Sequence, residues 1–127
     1  MQTTRLFLHV LAATIWVGGQ FVLAAAVPAL RRVSSEAPRA AARAYSRVAW
    51  PAFAVLVATG IWNILAEGDR GASYRRTLEI KIAVVLLSGA AAFAHARATT
   101  ARARGLLGAA SGLSAAAALL LGIVLAG

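Results

Sequence analysis

Residues Leu106–Ala126 read LLGAASGLSAAAALLLGIVLA, a run with no charged side chain on any helical face. A helix rises about 1.5 Å per residue, so roughly 20 residues cross a hydrocarbon core of about 30 Å. The run has that length. A helix of a soluble bundle keeps a polar face toward water, and this one has none. It reads as a membrane span.

Working outward, three further apolar stretches precede it: Leu6–Leu30, Val48–Ala66 and Leu78–Ala98, separated by short polar segments. The chain has 127 residues, 61% of them hydrophobic, and a mean hydropathy of +0.76. A small soluble domain has too little interior for that much apolar surface. The expected fold is an all-α membrane protein, a single domain over residues 1–127. Its four transmembrane helices, about 6–30, 48–66, 78–98 and 106–126, form an up-down bundle. The first stretch follows Arg5 and ends near AAA, as a signal peptide does, but an h-region has roughly 7–15 residues. A retained span is expected instead. The third loop, RATTARARG, is short enough to make the last two spans antiparallel neighbours.

The chain has no cysteine, which excludes disulfides, thiolate metal sites and redox thiols. Its net charge of +9 is placed for a lipid surface rather than for nucleic acid. The N-terminus and second loop carry Arg5, Arg70, Arg75 and Arg76. The first and third loops carry Arg31, Arg32, Arg39, Arg43, Arg47, Arg97, Arg102 and Arg104. That excess predicts the first and third loops in the cytoplasm, with both termini outside a cell (inner or plasma) membrane. In the first loop, RRVSSEAPRAAARAYSR, Ser34 or Ser35 is placed to cap a short helix with Glu36 in its first turn. Arg39, Arg43 and Arg47 then form one basic stripe for anionic lipid, with Tyr45 at headgroup height. Small-residue faces such as Gly18–Gly19 suit close helix packing and a homodimer.

Polar residues inside the spans mark the candidate site. His9, Ala13, Trp16 and Gln20 are spaced by four, three and four, which puts them on one helical face. Lipid offers imidazole and amide no partners, so this face is expected to point inward. Lys81, Ser88 and His95 share a face of the third span. By depth, His9, Lys81, Trp62 and Asn63 fall in the outer leaflet, and His95 near the cytoplasmic side. The candidate cofactor-binding residues are His9, Trp16, Trp62 and Lys81. The candidate metal ligands are His9 and, secondarily, His95. No carboxylate pair or Ser–His–Asp set lies within the spans, so hydrolytic or nucleophilic catalysis has no residues to carry it.

LHVLAATIWVGGQFVLAAAVPALRR, Leu8–Arg32, resembles the first span of the copper-resistance protein D (CopD-like) membrane family, with its His, Trp-x-Gly-Gly and closing Pro-Ala-Leu-Arg-Arg. LEIKIAVVLLSGAAAFAHAR, Leu78–Arg97, is similar to that family's later span. The resemblance covers essentially the whole chain and implies a four-span protein that binds or moves copper. His9 and Lys81 also resemble the functional His and Lys of HemJ-type four-span haem oxidases, although Glu79 stands where those sequences usually carry a His. Copper(I) prefers thiolate and thioether ligands; the chain has no cysteine, and its only methionine is Met1. Haem needs one axial imidazole, an apolar slot and cations for its carboxylates. Three function classes stay open: a copper-binding or copper-moving protein, a haem-dependent membrane oxidoreductase, and a non-catalytic accessory subunit.

Overall fold

The computed structural model describes all 127 residues, Met1–Gly127, and contains helices and turns without any strand. Four helices are long and apolar enough to cross a membrane: Gln2–Val33, Ala37–Glu67, Ala72–Arg97 and Ala101–Ala126. This is the all-α architecture of a multi-pass membrane protein. The chain divides into two compact units, Met1–Ala66 and Glu67–Gly127. Each is an antiparallel pair of helices. Outward side chains such as Phe7, Val22, Leu65, Leu120 and Val124 give the helices an apolar exterior suited to lipid.

In the first hairpin the turn is much shorter than the sequence suggests. The first helix ends at Val33, and the backbone of Ser34 after it is extended. The Ser34 hydroxyl oxygen accepts from the N–H of Ala37 at 3.1 Å and starts the next helix. The basic segment expected as a loop with its own short helix is instead the opening of the second helix. That helix runs unbroken for 31 residues and contains Pro51. The local chemistry explains the continuity. Alanine-rich sequence favours helix, Pro38 sits in the first turn where no N–H is needed, and Pro51 withholds only one ladder bond.

The first helix is itself irregular. Thr14–Gly18 is wound as a π-helical turn, and the Thr14 hydroxyl bonds back to the carbonyl of Val10 at 2.8 Å. A wider turn disturbs the i→i−4 ladder and leaves carbonyls for other donors. The Tyr45 hydroxyl from the second helix donates to the carbonyls of Ile15 at 3.0 Å and Trp16 at 2.8 Å. The Gln20 side-chain amide donates to the Trp16 carbonyl at 2.9 Å. Gly19 leaves the space that the Tyr45 ring fills, and a Cβ there would strike the ring.

The second hairpin packs through small residues: Ser88, Gly89 and Ala91 on one helix, Ser111, Ser114, Ala115 and Ala118 on the other. Ser88 donates to the carbonyl of Ser111 at 3.0 Å, and Ser111 donates to the carbonyl of Ser88 at 3.1 Å. Small side chains let the backbones approach, and reciprocal bonds satisfy polar groups that lipid would leave bare. The connection into this hairpin turns at Gly68 and Gly71, both at positive φ, with the Asp69 carboxylate accepting from the Gly71 N–H at 2.9 Å. Thr100 caps the last helix by accepting from the Ala103 N–H at 3.1 Å.

Candidate functional site

The register of the first hairpin decides what His9 meets. Its Nδ1 lies 2.8 Å from the Thr59 hydroxyl oxygen on the second helix. The Thr59 hydroxyl has one proton, and that proton is directed to the carbonyls of Val55 at 2.7 Å and Leu56 at 3.2 Å. Thr59 therefore accepts from His9, and Nδ1 carries the imidazole proton. In that tautomer Nε2 holds the lone pair. A metal-binding imidazole is oriented the same way, by donating its other N–H to a fixed acceptor. Gly60 borders the ring: a Cβ there would lie 3.6 Å from His9 Cε1, an ordinary contact.

Farther along the same helix, Trp16 is packed into the hairpin at 3% exposure. Its ring lies 5.3 Å from that of Trp50, edge-on, and 4.5 Å from that of Phe53. Trp16 is thus a packing aromatic of the hairpin, two turns along from His9. Gln20 is turned onto the Trp16 carbonyl, which explains an amide in the middle of an apolar helix. Trp62 is 39% exposed, on the second helix, whereas Thr59 beside it is buried.

The other two candidates lie in the second hairpin, each against the last helix. Lys81 reaches the backbone at Gly122, where a Cβ would come within 3.1 Å of Nζ. His95 donates from Nδ1 to the carbonyl of Arg104 at 2.8 Å. A carbonyl only accepts, so His95 also carries its proton on Nδ1. Gly108 makes room for this ring, since a Cβ there would lie 3.2 Å from Nδ1 and Cε1. Lys81, Ser88 and His95 therefore form three rungs facing the last helix, and the two ends are separated by 14 residues, about 21 Å of rise. In the connection, Arg75 pairs with Asp69 at 3.3 Å and Arg70 pairs with Glu67.

No three His, Cys, Asp or Glu side chains converge as the ligand set of a metal ion. A centre that needs one imidazole from the protein fits His9; a centre that needs three does not. Thr59, the residue that orients His9, was absent from the sequence-level candidates. The available signal was its spacing of four from Asn63, which puts both on one face of the second helix. Comparisons with protein-family models, with curated proteins and with solved structures find no match to this chain.

Proposed function

We propose that this protein binds a metal centre in its first hairpin through Nε2 of His9. The observation that carries the reading is the relay from His9 Nδ1–H to Thr59 and on to the Val55 carbonyl. An imidazole inside an apolar helix is expensive unless it is used, and a neutral imidazole with a fixed tautomer is a standard metal ligand. Of the two centres the sequence suggests, haem iron and copper, the single-imidazole donor set favours the one that brings its remaining ligands with it. The chemistry such a centre supplies when bound is its own. The protein's part is to hold and orient the imidazole.

The excess of arginine on the first and third loops supports an orientation with both termini outside the cell membrane. Arg39, Arg43 and Arg47 are all exposed along the opening of the second helix, a surface suited to anionic lipid. The test of the central reading is spectroscopic. Purified wild-type protein is expected to take up haemin or copper with a shift of the metal's absorption, His9→Ala to lose that shift, and Thr59→Val to weaken it. Equal ligation by His9→Ala would refute the reading.

A further inference from the structure

Lys81 is a half-buried cation on a membrane-spanning helix, and the chain supplies it with no counter-charge. The four acidic residues lie elsewhere. Glu36 pairs with Arg39 at 3.8 Å, Asp69 pairs with Arg75 at 3.3 Å, and Glu67 pairs with Arg70. Glu79 is exposed two residues before Lys81, and at about 100° per residue the two side chains leave opposite sides of the helix. A charged group inside a bilayer is costly unless it is paired. The register of the second hairpin shows where the ammonium goes. Ser88 faces Ser111, and His95, seven residues on, meets Arg104, seven residues back. Seven residues the other way, Lys81 stands level with Ala118. Its Nζ nevertheless lies beside Gly122, where a Cβ would come within 3.1 Å. The side chain therefore leans one turn, about 6 Å of rise, toward the N-terminus of its own helix, as helical side chains do. That direction is the open end of the hairpin. Gly122 leaves the ammonium room there, four residues before the last helix ends at Ala126.

We propose that Lys81 anchors one anionic phospholipid, whose phosphodiester it holds at the open end of the second hairpin. A lysine that leans out of a span meets headgroup phosphates first, and a compact ammonium binds phosphate as a point charge. The acyl chains have a track beside it. A helix turns about 100° per residue, and the two helices run antiparallel. Ile82, next to Lys81, and Ile123, next to Gly122, therefore emerge on the same side of the seam, and Leu119 stands one turn from Ile123 on that side. All three are exposed. An apolar strip thus starts beside the ammonium and runs into the membrane, the charge pattern of one lipid with an anionic head. Such a ligand lies on the lipid-facing surface and requires no cavity. The site belongs to the second hairpin alone and does not depend on His9.

Electron spin resonance of the full-length protein in phosphatidylcholine vesicles tests this, with spin-labelled phosphatidylglycerol and spin-labelled phosphatidylcholine as the probes. The measurement is made in about 1 M salt, where the Debye length is about 3 Å and exposed arginines are screened far more than a half-buried ammonium. Wild type is expected to hold phosphatidylglycerol about fivefold more tightly than phosphatidylcholine, the effect of one basic residue at a membrane surface. Lys81→Met, of similar size, is expected to erase that preference. Arg76→Gln, which removes an exposed arginine near the same end, is expected to leave it unchanged. Circular dichroism identifies a variant that has failed to fold, in which case Lys81→Gln replaces Lys81→Met. A preference that survives in the lysine variant overturns the proposal. So does its disappearance from wild type in salt, or its loss in Arg76→Gln, because exposed arginines then carry it. Displacement of the labelled phosphatidylglycerol by excess inorganic phosphate overturns it as well, because the site then takes a free anion rather than a lipid.

Discussion

Replacing Tyr45 with Phe and Gln20 with Met, singly and together, examines how the π-helical turn is held. Both side chains donate to the Trp16 carbonyl, at 2.8 and 2.9 Å. Tyr45→Phe keeps the ring that fills the space at Gly19 and removes only the hydroxyl. Either single change leaves the carbonyl one side-chain donor, so each is expected to destabilise by about 0.5–1.5 kcal/mol, the net value of one hydrogen bond. The double variant strips both donors from a carbonyl in an apolar hairpin. It then also incurs part of the desolvation penalty of about 1–3 kcal/mol for an acceptor that has lost both side-chain donors. The two changes should therefore be more than additive, with a coupling of about 1 kcal/mol. Unfolding of the protein in mixed micelles, followed by circular dichroism, measures the cycle. Additivity within about 0.5 kcal/mol, the spread seen for independent sites, would refute the idea that the two donors share one acceptor.

Two other predictions use the same logic. Ser88, at 1% exposure, exchanges bonds with Ser111, so Ser88→Ala is expected to destabilise the second hairpin by about 0.6–1.7 kcal/mol, and Ser88→Val by more because it overpacks the helix contact; a Ser88→Val as stable as wild type in micelle unfolding would contradict that packing. For orientation, a cysteine replacing Ala41 is expected to resist membrane-impermeant maleimide in intact cells and to react once they are opened. Labelling before lysis would reverse the arrangement.

The four helices were legible because bilayer thickness fixes a length and charge marks the gaps, and both signals are local. The first turn was not legible. Arg31–Arg47 carries five arginines and a proline, which reads as a loop, while the alanines and the Ser34 cap carry the helix straight through. That misreading hid the site's second half. Thr59 meets His9, and Tyr45 meets the π-helical turn, only in the register set by a three-residue connection, Ser34–Glu36. His9 was visible because an imidazole is conspicuous among Leu, Val and Ala; Thr59 was not, because threonine is ordinary in an apolar helix. Arg5, buried in the structure, read only as a flanking charge, because burial is set by tertiary packing and not by local pattern.

The π-helical turn gives the first helix a property the other three lack. An ordinary helical residue advances the chain by about 100° of rotation, and a turn wound one residue wider lets the segment after it lag by about that amount. Thr14–Gly18 therefore works as an angular offset between two otherwise regular rods. His9 is aimed from the rod before it, and Phe21 through Val33 are aimed from the rod after it. Shortening this helix by one residue within Thr14–Gly18 closes the wide turn and leaves the two rods in the mutual orientation they already have. Shortening it anywhere else moves a whole rod's faces with no slack to absorb the change. The offset thus separates the orientation of the imidazole from that of the basic end of the hairpin, so that sequence drift in one half is insulated from the other.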